Sequence, residues 1–143
     1  MRIADILRDK GSAVATVTET TTVTALLAEL SIRNIGAMVV VGQDGVVGVV
    51  SERDVVRKLH EHGPGLLRRS VADIMSGLAV TCGPQDPIDD LAALMTHNRV
   101  RHVPVLDAGR LAGIVSIGDV VKNRMEELQA ERQQLRAYIT QGG

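Results

Sequence analysis

GVVSERDVVRKL (Gly48–Leu59) returns as GIVSIGDVVKNR (Gly113–Arg124), 65 positions further on. Gly48/Gly113, Val50/Val115, Ser51/Ser116, Asp54/Asp119, Val55/Val120 and Val56/Val121 stand in register. A repeat on this scale decides the fold before any single residue does, because one unit must be built twice. The same offset aligns AMVVV (Ala37–Val41) with HVPVL (His102–Leu106), LLAEL (Leu26–Leu30) with LAALM (Leu91–Met95), and Thr16 with Thr81. Upstream, IADIL (Ile3–Leu7) matches VADIM (Val71–Met75) at an offset of 68. The first copy therefore carries three extra residues around Asp9 to Ser12, expected in a loop.

Each copy reads as short helix, short strand, helix, strand, turn, strand, helix. Thr22 is a helix N-cap ahead of Val23, Leu26, Leu27 and Leu30, which recur at helical spacing, and Pro87 opens the matching helix in the second copy. AMVVVGQDGVVGVVS and HVPVLDAGRLAGIVS place β-branched runs on both sides of Gln43-Asp44-Gly45 and Asp107-Ala108-Gly109, the pattern of a hairpin. Ser51 and Ser116 follow the last strands and precede amphipathic helices, where a hydroxyl can accept from a free helical N–H. HGPGLLRRS, from His62, is the linker between copies.

The chain of 143 residues is the size of one average domain. It is 45% hydrophobic but has no Phe or Trp, and Tyr138 is its one aromatic, so the core must be aliphatic. A net charge of −1 without aromatic platforms argues against nucleic acid as a partner. Cys82 is the single cysteine, the N-terminus lacks an apolar leader, and no apolar run approaches the roughly 20 residues of a membrane span. A soluble cytoplasmic protein is the expectation.

Two helix, strand, helix, hairpin, helix units, each ending in a hydrophobic strand followed by S-x-x-D, resemble the tandem cystathionine β-synthase (CBS) domain pair, or Bateman module, of the stand-alone bacterial type. The likeness covers about residues 1 to 125. It implies an α/β fold with two CBS repeats, each a small three-stranded sheet with flanking helices. The repeats would pack about a pseudo-twofold axis, with a long C-terminal helix added. The division expected is 1–66 for the first repeat with its linker, 67–125 for the second and 126–143 for the helical extension. It further implies clefts between the repeats for adenosine-containing ligands, with AMP the first expectation and ATP, ADP or NAD(H) next. The ligand would be regulatory, not a catalytic cofactor, and would act on an unidentified protein in trans.

The residues answer to that expectation in their own chemistry. A hydroxyl at a helix start and a carboxylate three residues on share one helical face, and the carboxylate can accept from the vicinal hydroxyls of a ribose. Asp54 with Ser51, and Asp119 with Ser116, are thus ribose candidates; equally, the serines are plain N-caps with the aspartates stabilising the first turn. By the resemblance, each aspartate takes its adenine pocket largely from the other repeat. Asp119 would share a site with Val14, Ala15, Thr16, Ile35, Gly36, Ala37 and Ile114. Asp54 would share one with Val49, Ala79, Val80, Thr81, Val100, Arg101 and His102. Val14 and Val80 are read first as core. Phosphate candidates are Arg53, Arg99, Arg101 and His102, with Gly118 allowing close backbone approach at Asp119. The cations weight the Asp54 cleft towards the phosphorylated ligand. In the strand, Val39 stands where the second repeat has Pro104, the residue more usual in the family.

Ser116, His102 and Asp119 include the residue types of a hydrolytic triad, but there is no G-x-S-x-G elbow and both serines have a capping role, so no catalysis is expected. His60 and His62 lack a third metal ligand nearby, and no metal site is expected. Cys82, Met38, Met75, Met95 and Met125 read as core fillers. Beyond the second repeat, Val121, Met125, Leu128, Leu135 and Ile139 form a heptad-like stripe with Arg132 in its missing position. The stripe serves a partner helix or packs on its own module, and a homodimer is the expected assembly.

Overall fold

The Thr22 hydroxyl accepts from the Ala25 N–H at 3.1 Å, satisfying a donor that the first helical turn leaves free. The chain then winds into a helix over Val23–Arg33 that buries Val23, Leu26 and Leu30. The computed structural model describes residues 1–78 and 80–142 in this way. Its elements, in chain order, are α1 (Ile3–Lys10), β1 (Thr16–Thr18), α2 (Val23–Arg33), β2 (Ala37–Gly42), β3 (Gly45–Ser51), α3 (Glu52–His62), β4 (Ser76–Gly77), α4 (Ile88–Asn98), β5 (His102–Asp107), β6 (Arg110–Ser116) and α5 (Ile117–Gly142). The linker is itself folded: a 3₁₀ turn over Gly63–Arg68 buries Leu66 completely, and a second covers Val71–Asp73.

The hairpins of the two repeats pair in the same register. β2 and β3 pair antiparallel with Met38 opposite Val50 and Val40 opposite Gly48, while β5 and β6 pair Val103 with Val115 and Val105 with Gly113. Each hairpin bulges after Val40 or Val105. Both central helices end on a left-handed residue, Asn34 (φ 52°) and Arg99 (φ 54°). The parallel partner strand differs between copies. β1 pairs with β2 along three residues, aided by the Val39 N–H donating to the Ala15 carbonyl at 3.2 Å. Pro104 has no N–H to offer, and the equivalent pairing shrinks to a single bridge between Cys82 and Val105. β4 meanwhile adds a fourth strand to the first sheet, beside β3.

Two aliphatic cores result, and each repeat's opening segment is lodged in the core of the other. Val71 and Ile74 lie with Leu26, Met38, Val50 and Leu66, whereas Ile3 and Ile6 of α1 lie with Leu91, Met95, Val103 and Val115. α1 is pinned there by backbone bonds, from the Ile3 N–H to the Asp86 carbonyl at 3.0 Å and from the Ala4 N–H to Pro84 at 2.8 Å. The three extra residues fall partly in the expected loop, where Gly11 and Ser12 lie, and partly at the end of α1, where Asp9 and Lys10 are helical. They lengthen the opening segment, so that the first copy has the eight-residue α1 where the second has one 3₁₀ turn.

Cys82, Met38 and Met95 are buried and Met75 is partly so, but Met125 is 56% exposed. It belongs to the α5 stripe, in which Val121, Leu128, Leu135 and Ile139 are also exposed. Of the two roles open to the stripe, packing on its own module is therefore not the one adopted. Among the described residues, no helix is long and apolar enough to cross a membrane.

Candidate functional site

β3 ends where Ser51 takes extended backbone, and its hydroxyl accepts from the Asp54 N–H at 3.3 Å. Asp54 answers with Oδ2, which accepts from the Ser51 N–H at 2.9 Å and from the Ser51 hydroxyl at 3.1 Å. This reciprocal box satisfies two donors at the start of α3 and holds the carboxylate over the cleft. Among the described residues no hydrogen bond reaches Asp54 Oδ1. The capping role and a ligand role thus use different oxygens of one side chain. Ser116 and Asp119 repeat the box at the start of α5, at 2.9 and 3.1 Å.

Asp54 lines a cavity of about 210 Å³ between the repeats. Its walls include Gly36, Val49, Ser51, Val80, Val100 and Pro104, and its cations are Arg53, Arg57, Arg99 and Arg101, set against Glu52 and Asp54. Of the residues expected around Asp54, Thr81 is exposed and does not line this space, and Ala79 lies outside the described residues. Gly36, expected at Asp119, lines the Asp54 cavity, where its carbonyl accepts from the Glu52 N–H at 3.0 Å. Ser76, Gly77 and Leu78 also line it; sequence reasoning passed over them because β4 reaches the cleft only by pairing with β3. Arg99 is placed there by its left-handed backbone, a conformation that costs a non-glycine residue about 1 kcal/mol.

His102 is half-buried in the same wall. Burial, then the nearby charge of Lys10, lowers its pKa below the ordinary 6.5, with Asp119 and Glu52 pulling the other way. The imidazole is therefore neutral at pH 7. Among the described residues, the wall also offers a carbonyl to which no hydrogen bond is made. The Ala15 carbonyl receives the Val39 N–H, but its counterpart at Val80 faces Pro104, which has none to give.

The Asp119 side is built differently. A small cavity of about 40 Å³ beside it lies between α1 and α5, lined by Ile6, Asp9, Lys10, Asp119, Lys122, Asn123 and Glu126. None of Val14, Ala15, Thr16, Ile35, Ala37, Ile114, Ser116 or Gly118 lines it. Ala37 is buried in β2, while Ala15 and Ile35 pack on the first core. Asp119 is held by Lys10, a residue the sequence reading missed. Its Nζ donates to Asp119 Oδ2 at 2.6 Å and to the Ile114 carbonyl at 2.9 Å. Burial alone would raise the Asp119 pKa, but the bonds from Lys10 and Ser116 hold it below the ordinary 3.8. The triad reading finds no support in the bonding: the Ser116 hydroxyl accepts from the Asp119 N–H, and no bond joins it to His102 among the described residues.

A family model described as "CBS domain" matches residues 3–61 and 71–126. The CBS domain-containing protein CBSX3, mitochondrial, of Arabidopsis thaliana is 36% identical over 150 residues, spanning 99% of this chain and 72% of that protein. Among solved structures, the CBS-domain containing protein ATU1752 from Agrobacterium tumefaciens is 42% identical with a TM-score of 0.82, covering 86% of this chain and 92% of that one. The CBS domain pair of protein MJ0100, solved in complex with 5′-methylthioadenosine and S-adenosyl-L-methionine, shares the fold at a TM-score of 0.75 and 23% identity, over 85% of this chain and 98% of that one.

Proposed function

The chain belongs to the CBS-domain family, and from that premise we propose that it is a non-catalytic regulatory module that binds an adenosine-containing nucleotide, AMP before ATP, ADP or NAD(H), in the cleft at Asp54. The observation that carries this reading is the composition of the Asp54 cavity. One carboxylate oxygen is free for ribose hydroxyls, and apolar Val49, Val80 and Val100 suit a flat base. The Val80 carbonyl is an acceptor for an exocyclic amine, and four arginines serve the phosphate. The Asp119 carboxylate is paired with the Lys10 ammonium, whereas among the described residues no cation is bonded to Asp54, so both aspartates are read as caps and Asp54 as the ligand group. Binding of 5′-methylthioadenosine and S-adenosyl-L-methionine by the MJ0100 pair supports the adenosine part of the reading, since it is a ligand class this fold houses elsewhere.

The regulated protein is a separate partner in the cytoplasm, reached when nucleotide favours one arrangement of the repeats or of two paired chains. A homodimer joined in part through the exposed face of α5 supplies that second arrangement. Isothermal calorimetry with AMP, ATP and NADH tests the reading. Saturable heat with at least one of them, weakened by Asp54→Asn, is expected; no binding at millimolar ligand would sink it.

A further inference from the structure

We infer that Lys10 is a built-in occupant of the Asp119 cleft, and that it limits each chain to one nucleotide. Around the Asp54 cleft, the residue matching Lys10 at the 68-residue offset of the opening segments is Leu78, an apolar side chain that cannot pair with the acid. Around Asp119 the lengthened α1 carries an ammonium to within 2.6 Å of Oδ2. A second bond, to the Ile114 carbonyl, places the same ammonium across the edge of β6. The carboxylate that a ribose would need is already paired with a cation, and the Ile114 carbonyl beside it is bonded to the same ammonium.

The position of Lys10 is not a loose surface encounter. α1 is held on the second repeat by the backbone bonds from Ile3 and Ala4, by burial of Ile3 and Ile6, and by Leu7 lying against Gly113. The Lys10 ammonium, with its bonds to Asp119 and to the Ile114 carbonyl, is the difference that acts on this cleft. A ligand at Asp119 must first displace a cation carried by a helix anchored on the second repeat, and among the described residues the Asp54 carboxylate has no such competitor. Lys10 is the residue that selects between the two clefts.

Two measurements test this, and the second rests on the nucleotide reading above. In a urea double-mutant cycle with Lys10→Met and Asp119→Asn, each change should matter less in the presence of the other. Strict additivity would overturn the pairing, whether or not any nucleotide binds. In AMP calorimetry the wild type should take up one equivalent, weakened at least tenfold by Asp54→Asn and untouched by Asp119→Asn. Lys10→Met, which keeps the aliphatic stem, should take up two, the second abolished by adding Asp119→Asn. Two equivalents in the wild type, or one in Lys10→Met, would overturn the inference. A wild type that binds none while the cycle shows coupling would refute the nucleotide reading and leave the pairing standing.

Discussion

Gly48 leaves room for the carbonyl of Ser76: a Cβ at position 48 would lie 2.2 Å from that oxygen. At the equivalent Gly113 a Cβ would meet Leu7 Cδ2 at 2.6 Å. The glycines are therefore the points at which each repeat admits the opening segment of the other. Neither has a positive φ, so the requirement is space and not backbone freedom. Gly48→Ala must push back a backbone and should cost about 3 kcal/mol. Gly113→Ala displaces only the end of a side chain and should cost about 1 kcal/mol. Urea denaturation of the two variants checks the order.

Asp54→Asn separates the cap from the ligand group. An amide oxygen still accepts from the Ser51 N–H, so stability should fall by less than about 1 kcal/mol. The charge that grips vicinal hydroxyls is gone, and nucleotide affinity should drop at least tenfold. Ser51→Ala should do the reverse, costing about 1 kcal/mol of stability through the lost cap. Thermal unfolding and calorimetry on the same preparations distinguish the two.

His102 makes stability depend on pH. Its folded pKa is depressed below 6.5, so the unfolded chain takes up the proton first as the solution is acidified. The contribution is fully present above pH 6.5, diminishes as pH falls through the folded pKa, and is constant below it. His102→Gln should flatten that part of the stability profile. NMR titration of the imidazole should also show its pKa rising when AMP is added, because a phosphate beside it favours the charged form.

Burial, with the charge of Asp86 adding to it, pushes the Cys82 thiol up to about 12. Its S–H points to the Pro104 carbonyl at 3.6 Å. The thiolate is the reactive form, so a disulfide reagent at pH 8 should leave the native protein unmodified and label it only at the rate of unfolding. Fast stoichiometric labelling would contradict the buried placement.

Val121, Met125 and Leu128 lie on one face of α5 and are each more than half exposed. If this face joins two chains, Leu128→Glu should shift sedimentation from dimer to monomer without changing helical content by circular dichroism. An unchanged dimer would place the contact elsewhere.

The duplication, the hairpins, the helix starts at Thr22 and Ser51, and the S-x-x-D boxes were legible in the amino acids alone. Each is local: alternation along a strand, or a cap and its partner three residues apart, with the answer written within one or two turns of chain. The exchange of opening segments and the pairing of Lys10 with Asp119 were not, since that bond joins residues 109 positions apart. No periodicity records which of two similar cores will receive α1, or how far a three-residue lengthening will carry its last side chain. Packing decided those points, and with them which of two near-identical acids is left free.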